Sequence, residues 1–298
     1  MPRHDRIALN PIQWAATSDG WVDGSIAPDA DVVLGSVADA GFAAVHVEAR
    51  QAALGQEYAD QAARHGLALG PGITGNDWND DPAVRRRRLD EVRRTGADYA
   101  ALGIEVVFFG ANMPPDHPRV AHAAIGLDAD AGRLARMVDL LGETATVLTS
   151  EGVRPALHPH VGSWVETEAE TRAVLDGVSD TVLSFGPDIG HLAWAGADPV
   201  ALLTAYRDRV VGVHLKDYRA DVAAESREQR RSYREAVMAG LWVEPGRGDA
   251  DIPALFDLFS DRPELWWVVE VDQPAAPSAQ ESIRLCGRWL ADMTGDVI

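Results

Sequence analysis

The sequence holds a single cysteine, Cys286, in 298 residues. That excludes a disulfide framework and any metal site built from thiolates. Lysine is almost as scarce: of 27 basic residues only Lys216 is a lysine, so a chain that otherwise uses arginine keeps one compact ammonium there. Positive charge is short overall, with 46 acidic residues and a net charge of −19. This disfavours nucleic acid and anionic membranes as partners, since both are polyanions. Long apolar runs are missing too, none approaching the roughly 20 residues that span a bilayer. The N-terminal Met1-Pro2-Arg3-His4-Asp5-Arg6 leads into no signal-peptide core, so a cytoplasmic location is expected.

What is present, 46% hydrophobic and 24% charged residues, is the composition of a folded domain. Short apolar runs at 6–10, 44–48, 67–71, 105–109, 154–158, 182–186, 210–214 and 266–270 read as strands. Several are apolar throughout, as buried parallel strands are. Amphipathic helix patterns alternate with them at 31–40, 55–64, 82–102, 129–151, 167–177 and 199–209, with a last one at 279–293. Thr167-Glu-Ala-Glu170 is a capping box, and Gly41, Gly66, Gly103 and Gly152 each close a helix before a strand. The run Arg85-Arg86-Arg87-Arg88 is interleaved downstream with acids and reads as a solvated helix face. Eight β–α units predict a single (β/α)8 barrel domain, α/β in class, over residues 1–298. A doubly wound sheet would want a glycine-rich turn after the first strand, and Asn10-Pro11-Ile12-Gln13-Trp14 is not one. Residues 218–240 are charged and helical, an elaborated loop after the seventh strand that offers a surface for a homo-oligomer.

In such a barrel, residues just past the C-terminal strand ends face the active site. His158 and His160 follow strand five, His191 follows strand six, and His214 ends strand seven. Glu166, Asp188, Glu270 and Asp272 join them. Polar groups terminating apolar runs are costly unless paired or metal-bound. Imidazoles and carboxylates without thiolate suit one divalent ion: Mn²⁺ first, with Co²⁺, Mg²⁺ or Zn²⁺ open. Such an ion stabilises the charge left when a C–H next to a carbonyl loses its proton, and flanking side chains move that proton.

Asp188-Ile-Gly-His191, His214-Leu-Lys-Asp217, Pro245-Gly-Arg-Gly-Asp-Ala-Asp251 and Glu270-Val-Asp272 occur in an order that resembles the xylose isomerase-like barrels of sugar isomerases, epimerases and dehydratases. The stretch His158-Pro-His160-Val-Gly-Ser-Trp-Val-Glu166 looks most like the inosose dehydratase branch. The resemblance implies a metal set containing Asp188, His214 and Glu270. At the fifth-strand ligand this chain departs from the common pattern, with His158 standing where Glu is usual. Either His158 ligates or Glu166 reaches in from the loop, and a third carboxylate would better neutralise the ion, favouring Glu166. The resemblance further implies His160 and His191 as proton-handling groups beside the metal, with Lys216 and Asp217 orienting His214 or touching substrate.

Asn10, Gln13, Trp14, Glu48, Asn76, Trp78 and Asn112 lie after the first four strands and could read sugar hydroxyls. Trp14, Trp78, Trp164 and Trp194 would be apolar walls for a polyol ring, and Asp272 a substrate contact. Arg247 lies in a loop whose backbone N–H groups could take phosphate or serve only as a connection. His46, two residues before Glu48, falls on the opposite face or in another layer and reads as structural. The expected substrate is a small polyol or keto-sugar. Expulsion of a β-hydroxyl would make the enzyme an inosose dehydratase-like lyase. Return of the proton would make it an isomerase or epimerase, and enolate chemistry could also cleave a 3-keto C-glycoside. A non-catalytic barrel has no need of so many strand-end ligands.

Overall fold

The computed structural model describes residues 2–295. Its parallel strands are β1 (Ile7–Asn10), β2 (Ala44–Glu48), β3 (Ala68–Asn76), β4 (Val106–Ala111), β5 (Arg154–Leu157), β6 (Ser184–Phe185), β7 (Gly212–Leu215) and, eighth in the barrel, β10 (Trp266–Glu270). They lie in the order β6-β5-β4-β3-β2-β1-β10-β7. The ring is closed between its ends by backbone bonds from Val211 N to Phe185 O (3.0 Å) and from His214 N to Pro187 O (2.8 Å). Helices follow the strands and bury their apolar faces in a shell that includes Leu34, Leu140, Leu148, Leu202 and Ile283. The fold is a (β/α)8 barrel, as the alternation of patterns predicts.

Two strand lengths differ from expectation. β3 runs on to Asn76 because Gly75 and Asn76 pair with Gly110 and Ala111 of β4. Partner hydrogen bonds override the weak strand preference of glycine. β6 is only two residues long; Gly186 still donates to the Leu157 carbonyl at 2.8 Å, and Pro187, which has no N–H to give a ladder, comes next. At Gly41 the backbone turns left-handed with φ +85°, ending the first long helix where a residue with Cβ would be strained.

Small residues Ala8, Ala44 and Ala156 line the barrel interior around Phe108. A Cβ on Gly186 or Gly212 would meet the Phe108 ring at 2.3 or 2.8 Å, so both positions admit it only as glycine. Phe108 forms the floor on which the strand-end imidazoles rest: its ring centroid lies 4.4 Å from that of His214 and 5.8 Å from that of His158.

Residues 218–240 fold into two short helices, Ala220–Glu228 and Tyr233–Met238, clasped by the antiparallel pair β8 (Asp217–Tyr218) and β9 (Trp242–Val243). Tyr233, Val237 and Trp242 pack with Val120, Val161 and Trp194 in an apolar cluster of their own. Much of the segment's apolar surface thus packs on the barrel mouth, while Met238 stays exposed. Among the described residues, no helix is long and apolar enough to cross a membrane.

Candidate active site

Lys216 is the hub. It is 1% exposed, and its Nζ lies 2.6 Å from Glu270 Oε1, 2.9 Å from Asp272 Oδ1, 3.0 Å from Asp188 Oδ2 and 3.1 Å from His191 Nε2. The face of Trp242 covers the ammonium, with Nζ 5.3 Å from its ring centroid. Burial works against the charged lysine, but Asp188, Asp272 and Glu270 hold its pKa well above the usual range. Burial likewise works against the Glu270 carboxylate, yet Lys216 and His214 outweigh it and hold it well below. Asp188 is pushed up by its burial despite Lys216. Burial, reinforced by Glu270 and Asp188 and only partly offset by Lys216, pushes Asp272 up to about 6. With all three ionised, three carboxylates face one ammonium, a local charge of −2. Buried charge of that size calls for a compensating cation.

The imidazoles beside this cluster have free nitrogens. One ligand atom from each of His158, Asp188 and His214 lies within 4.8 Å of the others; the same holds for His46, His214 and Glu270. His158 Nδ1 is 3.1 Å from the Gly186 carbonyl, which can only accept, so Nδ1 carries the proton and Nε2 keeps its lone pair. Neither ring nitrogen of His214 has a hydrogen-bond partner, although Nδ1 sits 3.2 Å from Glu270 Oε2. Asp188 divides its work: Oδ1 caps the short Ile189–Trp194 helix by accepting from His191 N at 3.0 Å, while Oδ2 makes no well-directed hydrogen bond. Orphaned buried nitrogens, excess negative charge and an anchored His158 fit a divalent ion.

A third group holds His160, His191 and Asp272. His160 Nδ1 donates to the Val161 carbonyl at 2.8 Å, leaving Nε2 unprotonated, and its ring centroid is 3.6 Å from that of His191. Burial, and next the charge of Lys216, brings His160 down to about 3. Burial and then His160 hold His191 well below its ordinary range. Both are neutral near pH 7. Tyr233 Oη donates to Asp272 Oδ2 at 3.1 Å and stacks over His160. His158, His160, Glu270, Asp272, Tyr233 and Asn112 all help wall a cavity of about 520 Å³ at the barrel mouth. Asn10 and Glu48 also line it, and Asn10 Nδ2 donates to Glu270 Oε2 at 2.6 Å.

Other expected residues are engaged elsewhere. Glu166 is buried, and its carboxylate accepts from the backbone N–H groups of Gly162 (2.9 Å), Gly126 (2.8 Å) and Ala124 (3.2 Å), with Arg119 at 3.8 Å. It ties two loops together, and His158 instead stands with Asp188 and His214. Asp217 is caged in the same manner. Its oxygens accept from Gly246, Arg247, Gly248, Tyr218 and Ala250 N–H groups at 2.9 to 3.2 Å. The amides read as a phosphate nest are therefore filled by the chain's own carboxylate. Asp217→Asn should loosen residues 244–250, seen as faster amide exchange there, and lower the melting temperature by roughly 3–8 °C. Arg247 lines a separate surface hollow with Arg219 and Arg288. Gln13 packs on Cys286 (3.8 Å), and Trp164 lies under Arg133 and Arg119 and meets His117 edge-on. Asn76 bonds Thr144, and Trp78 pairs with Arg85. Trp14 lies on a neighbouring cavity, while Trp194 is buried behind His191.

Two residues beside the cluster were not expected in the site: His46 reads as structural from the sequence, and Tyr233 is not singled out by it. His46 occupies the layer below Glu48, its ring 5.1 Å from that of His214, with both nitrogens unpartnered. The ladder between β2 and β3 shifts register between Val45 and Val47, on either side of it. Tyr233 comes from the insertion, and only its aromatic character among charged neighbours hinted at a buried role.

Comparison with known proteins agrees with this architecture. The first curated matches include the inosose dehydratase of Clostridium tetani, 32% identical over 144 residues, 48% of this chain and 47% of that one. The chain spans about half the length of the curated relatives it matches first. The inosose dehydratase of Geobacillus kaustophilus is 27% identical over 279 residues, 91% of this chain and 88% of that one. Among solved structures, the IolI protein with a bound zinc atom superposes with a TM-score of 0.65 at 15% identity, covering 98% of this chain and 99% of that one. Residues 34–292 match the family model described as the xylose isomerase-like TIM barrel, and the chain belongs to that family.

Proposed function

We propose that this chain is a metal-dependent lyase that removes a proton α to the carbonyl of a keto-sugar or keto-polyol and expels a β-hydroxyl, as an inosose dehydratase does. The observation that carries the reading is the group of buried carboxylates around Lys216, flanked by neutral imidazoles at the wall of one cavity. The relatives named as inosose dehydratases support it. His158, Asp188, His214 and Glu270 would hold a divalent ion, with His46 next to them; zinc is the metal named for the IolI protein, and manganese remains the expectation here. A divalent ion bound there supplies Lewis-acid polarisation of the carbonyl.

The chain's own residues do the rest. His160, with Nε2 free and its ring at the cavity wall, takes the α-proton. Asp272, at the cavity wall with Lys216 Nζ at Oδ1 and Tyr233 Oη donating to Oδ2, is the carboxyl placed to pass a proton to the departing hydroxyl. C–H and C–O bonds break, a conjugated enone forms, and water leaves. Lys216 balances the carboxylates, and His191 positions it by accepting from Nζ. The lone buried cysteine suits a reducing compartment such as the cytoplasm. Incubation with inosose should give enone absorbance that a chelator abolishes and divalent ions restore. Isotope exchange without an enone would turn the reading towards an isomerase or epimerase.

A further inference from the structure

A second cavity, of about 470 Å³, lies beside the central one, and Asn10, Ile12, Val22 and Glu48 belong to the walls of both. Its remaining wall is mostly carbon, with Trp14, Leu34, Leu54 and Tyr58 prominent and His46, Arg50 and Gln51 as its polar members. The indole N–H of Trp14 is already bonded to Ser36 Oγ at 3.2 Å, so that ring offers packing surface. Arg50 is turned to the Gly24 carbonyl at 2.8 Å, and the Glu48 carboxyl, which also caps the Ala49–Ala52 helix, puts an acceptor at the junction. Ile26, Val32 and Leu54 are large apolar side chains about half exposed, and each lies in or next to the segments forming this wall. Apolar surface left open beside a polar cavity marks a place for an apolar ligand group.

A polyol ring carries hydroxyls around its whole rim and would leave them unpaired against such a wall. An aromatic ring buries its faces there and needs no partner. We propose that the natural substrate is a keto-sugar bearing an apolar, aromatic substituent. Its sugar moiety occupies the central cavity and its substituent enters the side cavity past Glu48, whose carboxyl accepts from a sugar hydroxyl at the junction. The proposal rests on the lyase reading and names its substrate class; preferential binding of an aryl glycoside stands without it.

Calorimetry with phenyl glucoside and methyl glucoside on the metal-loaded protein tests the side cavity directly. Phenyl glucoside should bind at least tenfold more tightly. Leu54→Trp, which fills the side cavity, should remove that preference, and so should Ala27→Trp if the first variant folds poorly. Equal binding of the two glucosides, or a preference untouched by a folded blocking variant, overturns the proposal. Turnover is then compared between inosose and a keto derivative of phenyl glucoside, where kcat/KM should favour the aryl substrate at least tenfold. A phenyl preference in binding with no exchange on either substrate upholds the subsite and counts against the lyase reading. Faster turnover of inosose counts against the subsite alone.

Discussion

His214→Ala is expected to lower divalent-metal affinity by more than about 100-fold and to remove activity, with the far-ultraviolet spectrum of the barrel unchanged. The side chain is fully buried, rests on Phe108, and belongs to two of the three candidate ligand groups. Glu270→Gln should act comparably for a different reason. Its carboxylate meets Lys216, Asn10 and His214 together, so the amide removes the charge that holds three partners in place. Metal titration of the purified variants, read by calorimetry, checks both. Retained metal and activity in either folded variant would remove these residues from the ligand set.

The second large effect separates His158 from Glu166. Glu166→Ala strips the acceptor from three buried N–H groups and leaves Arg119 beside a void. Breaking a buried charged network of this kind costs about 3–5 kcal/mol. For a domain of this size that is a fall in melting temperature of roughly 6–20 °C. Metal affinity in the folded fraction should stay within about threefold of the parent. His158→Ala should do the reverse, weakening metal binding by tens of fold while costing less stability, since the lost ring bonds one carbonyl. Thermal melts with and without metal distinguish the two patterns. A metal-binding loss confined to Glu166→Ala would restore the loop carboxylate as the fifth-strand ligand.

The contrast between these two residues shows where sequence reading reaches its limit. Strand ends were legible because apolar runs stop at them: β2 and β10 have the residues their patterns predict, and His214, Glu270 and Asp188 converge accordingly. The destination of Glu166 was not legible. Its partners at Ala124 and Gly126 lie about 40 residues away, in a loop whose path no local spacing encodes. Asp217 hides in the same way, because its amide partners follow some 30 positions later. A carboxylate caged by backbone N–H groups and one awaiting a metal look alike in a sequence; only the folded path of the chain separates them. His46 illustrates the layers of a barrel. Residues i and i+2 share a strand face, so Glu48 reaches the mouth while His46 lies below it against His214. Tyr233 was out of reach because contact between an insertion and the barrel mouth depends on tertiary packing of Trp194 and Trp242.

The central claim is that this carboxylate–imidazole cluster, loaded with a divalent ion, moves a proton next to a carbonyl. Its most direct test is deuterium uptake in D2O by inosose and a keto-glucoside, followed by NMR with metal-free, reconstituted and chelated protein. Uptake at the carbon α to the carbonyl that needs the divalent ion and vanishes in His160→Ala is the predicted result. Uptake that proceeds in the metal-free protein, or none at all in protein shown to carry bound metal, would contradict it.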